Sequence, residues 1–105
     1  MSQKIPCNDF LVAGTKYRCT QDQVNQLKRG DVIKFEREPT NEHDANAIAC
    51  FAFITPGPTH IGYVPAVVAK HLSPMMEAGL ELEAIVLRTD VKCTIKAGMF
   101  WVKED

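Results

Sequence analysis

The sequence has no C-x-x-C pair, although it has four cysteines: Cys7, Cys19, Cys50 and Cys93 lie far apart. That spacing excludes the usual zinc signatures, and without a secretory leader a disulfide framework is not expected. Free thiols acting as small hydrophobes are the expectation. His43, His60 and His71 form no metal motif either, so neither metal nor cofactor is expected. No apolar run approaches the roughly 20 residues that cross a bilayer. The opening "MSQKIPCNDF" lacks the continuous apolar core of a signal peptide, so a cytoplasmic location with no membrane partner is expected. No Gly-rich phosphate cradle or nucleophile motif is present. A large excess of positive charge is also missing: the net charge is −1, which argues against a strong non-specific hold on nucleic acid.

What charge there is falls unevenly. Residues 1–37 carry seven Lys/Arg against four Asp/Glu, and residues 38–90 carry two against seven. A basic first third beside an acidic middle allows a local positive patch or simply a solvated surface. With 105 residues and 46% hydrophobic content, the chain is expected to form one domain over 9–105, with residues 1–8 as a loose, flexible end.

Apolar runs of strand length dominate. "DFLVAG" (9–14) is β-prone and stops at Gly14, while "VIKFERE" (32–38) alternates, with Phe35 and Arg37 on one face and Lys34 and Glu36 on the other. "AIACFAFI" (47–54) and "HIGYVP" (60–65) follow, separated by the turn "TPGPT". "LELEAIVLR" (80–88), with Leu80 and Leu82 inward, and "CTIKAGMFWVK" (93–103) complete six strands. From Thr20 as a capping residue, with Val24 and Leu27 three apart and Gly30 as a stop, a short helix or one or two turns is expected. Two further helical starts, "AVVAKHL" and "SPMMEAG", lie between the fourth and fifth strands, the second with Ser73 as cap and Pro74 in its first turn. The pattern predicts a mainly β fold with short helices (α+β): a small, partly open, OB-like β-barrel of about six strands, with one or two helices inserted after the fourth.

Between the second and third strands stands "REPTNEHDANAI" (37–48), crowded with polar groups. One reading is structural: Pro39 ends a strand, Asn41 and Asp44 accept from nearby backbone amides, and Asn46 supports the re-entry into the next strand. The other is functional. A carboxylate fixed by a tight turn is an acceptor suited to a ligand hydroxyl. His43 beside it offers a flat stacking face and a titratable edge. Lys16, Tyr17 and Arg18 in "GTKYR" interleave cations with an aromatic ring, a combination suited to single-stranded nucleic acid.

These stretches carry a resemblance. "VAGTKYR", "GDVIKFEREPTNEHDANAI" and "HIGYVPAVVAKHLSPMMEAG" are similar to the HIRAN domain over roughly residues 10 to 80. That family occurs at the N-termini of SWI/SNF-type DNA-remodelling enzymes and as small bacterial proteins or fusions; its fold resembles a modified OB barrel, and its best-understood members bind the free 3′ end of single-stranded DNA. The resemblance implies that Asp44 accepts a hydrogen bond from the terminal 3′-hydroxyl and that Asn41 shapes the turn or touches the terminal nucleotide. Tyr17 would stack on an end base, and His43 stands where the DNA-binding members have a tyrosine. Lys16 replaces an arginine, which keeps charge but loses the bidentate fork. Tyr63 occupies the position of a polar pocket residue, and Ala66 that of a phosphate-gripping lysine.

The resemblance therefore implies a non-catalytic module that reads single-stranded DNA 3′ ends, linked to DNA repair or processing. The alternative is a protein-interaction or scaffold module of the same fold, favoured by Ala66 and the acidic middle; no protein partner can be named from the sequence. An enzyme is the third reading. Asp44, with Glu36 or Glu38, gives too few converging carboxylates for a metal-dependent nuclease. Phe100 or Trp101 could add an aromatic to the pocket or pack in the core.

Overall fold

The computed structural model describes residues 2–104. Six strands form one antiparallel sheet: β1 (Ser2–Leu11), β2 (Val32–Arg37), β3 (Ile48–Ile54), β4 (Gly57–Tyr63), β5 (Glu81–Asp90) and β6 (Thr94–Glu104), in the order β1-β6-β5-β2-β3-β4. Helix α1 (Gln21–Asn25) precedes β2, and α2 (Ala66–Glu77) joins β4 to β5. The six expected strands are present and the sheet is open, as the OB-like reading required. No helix is long and apolar enough to cross a membrane.

Period-two burial builds the core. Ile33, Ile48, Ile54, Ile61, Val86 and Ile95 are fully buried from five different strands, and Val24 and Leu27 plug one end from the α1 segment. A capping box starts α1: the Gln23 amide donates to Thr20 Oγ1 at 3.2 Å, and the Thr20 amide donates to Gln23 Oε1 at 2.9 Å. The cysteines are free thiols; burial pushes that of Cys50 well up, as for a small core hydrophobe.

Three local expectations change. Residues 2–8, read as a loose end, lie in β1 and pair with β6, from Ser2 opposite Glu104 onward. Backbone hydrogen bonds hold this edge, and its side chains from residue 3 to 9 are exposed, so no hydropathy pattern marks it. The two helical starts are one helix. Ser73 is buried and its Oγ accepts from Arg37 Nε at 3.0 Å instead of capping, so α2 continues through Pro74 to Glu77. Leu80, expected inward, is 52% exposed because it belongs to the helix stop and β5 starts one residue later.

The free edges of the sheet meet at one point. Beyond β1, the Ala13 amide donates to the Tyr63 carbonyl at 2.7 Å and the Tyr63 amide donates to the Ala13 carbonyl at 2.9 Å. Gly62 permits this approach, with φ +144 and no room for a side chain: a Cβ there would collide with the Ala13 carbonyl oxygen and come within 2.7 Å of Val12 Cγ1. Gly62→Ala is therefore expected to destabilise the domain by about 2–4 kcal/mol, combining backbone strain with overpacking. Urea unfolding of the variant against wild type measures this loss.

Candidate functional site

The β2–β3 loop folds around its own polar side chains. The Glu38 amide donates to the Ala47 carbonyl at 2.9 Å, closing the loop at its base. Asn41 Oδ1 accepts from the amides of His43 (2.8 Å) and Asp44 (3.1 Å), and Asp44 Oδ1 accepts from the Asn46 amide at 2.8 Å. The structural reading thus accounts for Asn41 and for one oxygen of Asp44. It leaves Asp44 Oδ2, which has no hydrogen-bond partner among the described residues, and the exposed His43 ring.

Both border a groove of about 370 Å³ lined by Ala13, Arg18, Asn41, His43, Asp44, Ala47, Tyr63, Val64 and Ala66. Five of the seven residues singled out from the sequence meet here. Lys16 and Tyr17 do not: they line a neighbouring cavity of about 210 Å³ with Lys92, Cys93 and Thr94. The cause is the 3-10 turn Thr15–Tyr17, which sends consecutive side chains in different directions. Lys16 Nζ lies 5.0 Å from the Tyr17 ring centroid, and Tyr17 itself is 81% exposed. Arg18, just past the turn, lies over the Tyr63 ring with Cζ 5.3 Å from its centroid.

Glu38 holds the two sides of the groove together. Its Oε1 accepts from Asn41 Nδ2 at 2.9 Å and from the Tyr63 hydroxyl at 2.8 Å. Donation from Asn41 is the main reason its carboxyl titrates below the usual glutamate range, against the opposing effect of desolvation. Burial, then the hydrogen bond to Glu38, raises the Tyr63 phenol. His60, next along, stacks on Phe51 (centroids 4.9 Å, 24° between planes) and meets Tyr63 edge-on at 4.9 Å. Its Nε2–H donates to the Gly62 carbonyl at 2.9 Å, and desolvation followed by Arg18 holds its pKa down, so the ring is neutral near pH 7.

The sequence reading missed Glu38 and His60 as site residues. Glu38 figures there only, with Glu36, as a candidate second carboxylate beside Asp44. His60 reaches the Tyr63 face because β4 bulges: Cys50 pairs Gly62 but Phe51 pairs His60, leaving Ile61 extra. Phe100 and Trp101 lie away from the groove; Trp101 packs against the core. A larger cavity of about 550 Å³ lies between β2 and the α2–β5 junction. Its arginine, Arg37, is already engaged by Ser73 and by Glu77 at 3.7 Å. Among the described residues, no three His, Cys, Asp or Glu side chains are grouped to hold a metal ion.

The HIRAN domain model matches residues 5–103 of the chain. The chain belongs to the HIRAN domain family. Solved structures share the fold of this HIRAN domain at low identity. A crystal structure of a protein from Lactobacillus plantarum aligns with a TM-score of 0.82 and 20% identity over 99% of this chain and 100% of that one. The crystal structure of the human HLTF HIRAN domain aligns with a TM-score of 0.76 and 19% identity over 99% of this chain and 81% of that one. An NMR structure of the HLTF HIRAN domain in its DNA-bound conformation gives 0.67 and 18% over 97% and 80%. No curated protein sequence matches this HIRAN domain.

Acidification should loosen this site in two steps. His60 has a folded pKa below its ordinary 6.5, so its stabilising contribution is complete above that pH and is lost as pH falls. Glu38 has a folded pKa below its ordinary 4.5, so its contribution is complete above 4.5 and is lost at lower pH. Urea unfolding across pH should show Glu38→Gln lacking the lower step and His60→Gln lacking the upper one.

Proposed function

We propose that this HIRAN domain is a non-catalytic module that binds single-stranded DNA and reads its 3′ end, in the service of DNA repair or processing. The observation that carries the reading is the pairing of Asp44 and Arg18 across one groove. The Asn46 amide pins Asp44 through Oδ1, which leaves Oδ2 to accept from a terminal 3′-hydroxyl. Arg18 makes no ion pair among the described residues and supplies the cation for a phosphate. His43 offers an aromatic face to the terminal base, Tyr63 forms the groove wall beneath Arg18, and Asn41 keeps the turn in shape.

Lys16 and Tyr17, in the neighbouring cavity, flank the terminal nucleotide by charge and by stacking. Membership of the family whose HLTF representative has been solved in a DNA-bound conformation supports the assignment. The non-catalytic reading is supported by the state of the carboxylates: Glu38 is committed to Asn41 and Tyr63, and Asp44 is the one acid among the residues that line the groove. Ala66 in the groove wall favours the second reading, a protein-interaction module on the same scaffold.

Fluorescence anisotropy decides between them. A short single strand ending in a 3′-hydroxyl should bind about tenfold or more tightly than the same strand ending in a 3′-phosphate, the range of a hydrogen bond to a charged group. Asp44→Ala should abolish that preference. With about two phosphates held, log K should fall against log salt with a slope of roughly −1.4. Absence of binding to either strand would overturn the DNA reading and point to protein partners.

A further inference from the structure

We infer that the outer face of β2, β3 and β4 carries a base-stacking track that leads away from the groove and takes the nucleotides preceding the strand's end. The inference rests on the single-strand reading above and extends it to residues outside the groove. The core-facing residues of β3 are Cys50, Ala52 and Ile54, which turns Phe51 and Phe53 outward. Phe53 is 65% exposed in mid-sheet, with Val32 (50% exposed) beside it. Phe53 pairs with Pro58, and Phe51 stands between Lys34 and His60 in the ladder.

These rings form a continuous series. Phe53 and Phe51, two residues apart on one strand, are about 7 Å apart. Phe51 stacks on His60 at 4.9 Å, His60 meets Tyr63 at 4.9 Å, and Tyr63 is capped by Arg18 at the groove. At the far end, Val32, Lys34, Phe51, Ala52, Phe53 and Pro58 enclose a slot of about 190 Å³. An aromatic slot with a lysine in its wall suits a nucleobase and its phosphate, since every base offers a π-face. Lys34 and Arg18 place a cation at each end of the series.

Glu36 projects from the same stretch of β2, opposite Ala49, and Glu38 flanks the groove. The hold on phosphate along the track is therefore weak, and stacking supplies its affinity. Continuity with the groove through Tyr63, together with the two end cations, selects a single strand as occupant over a second copy of this chain.

Oligothymidine binding by the intact chain tests the track, using a trinucleotide and a decanucleotide with free 3′-hydroxyls, and the decanucleotide again with a 3′-phosphate. Phe53→Ala, at an exposed position, should weaken both decanucleotides about tenfold while leaving the trinucleotide and the melting temperature unchanged. Phe53→Tyr should bind as wild type. Lys34→Ala should reduce the decanucleotide's salt slope by about 0.7. If Asp44→Ala weakens both hydroxyl-ended strands but Phe53→Ala changes neither, the track is overturned and end reading stands. Self-association in sedimentation that Phe53→Ala removes, with DNA affinity unchanged, also overturns it. If wild type binds no strand, the track and the end-reading proposal fall together.

Discussion

The Ala13–Tyr63 bridge exists because nothing projects from Gly62, and most of the groove's geometry depends on that bridge. It joins the chain leaving β1 to the end of β4, two segments that the sheet order places at opposite edges. Once they meet, the 3-10 turn is fixed beside Tyr63 and Arg18 comes to lie over the phenol ring. The ring's hydroxyl reaches Glu38, Glu38 holds Asn41, and Asn41 holds the amides of His43 and Asp44. A contact in the wall of the barrel is thus connected by hydrogen bonds and one cation–π contact to the carboxylate in the loop. The two acids of this network play opposite parts. Glu38 is consumed internally, while Asp44 is fixed by one oxygen and available through the other.

Charge around the groove is arranged to keep the aromatic faces usable. Donation from Asn41 favours the Glu38 carboxylate and desolvation favours the neutral His60 imidazole, and Arg18 adds to both effects, so the carboxylate is ionised and the imidazole neutral under the same conditions. A neutral His60 can lie flat on Phe51 without carrying an unsolvated charge into a half-buried position. The β4 bulge places it there. His60 and Tyr63 are three apart, which on a regular strand would put them on opposite faces; the extra residue, Ile61, brings both outward.

This also explains how much could be read from the residues alone. The alternation of Phe35 and Arg37 against Lys34 and Glu36, Thr20 as a helix cap and the six apolar runs are local signals, and they led to the correct strand count and an open OB-like sheet. The self-bonded loop was legible too, because Asn and Asp satisfy nearby amides through short side chains. What escaped was non-local. β1 is held by backbone ladders that leave no hydropathy mark, Ser73 turned inward because Arg37 waits across the core edge, and Glu38 became important only when Tyr63 arrived from 25 positions away. Lys16, Tyr17 and Arg18 read as one motif, but a single turn of tight helix divides them between two cavities.

On the proposed reading, this division affects how such a domain would hold a strand. Arg18 is the one Lys or Arg lining the groove, Ala66 adds no charge, and the chain as a whole is slightly acidic. Phosphate attraction alone would then be weak, and affinity must come from the exposed rings of Tyr17 and His43 and from the rings beyond the groove. Stacking of this kind is open to bases already free of a duplex, because a paired base must first give up its own neighbours. On that reading a weakly charged, aromatic-lined surface beside a fixed carboxylate would discriminate twice: the rings would select unpaired bases, and Asp44 would select the end of the strand.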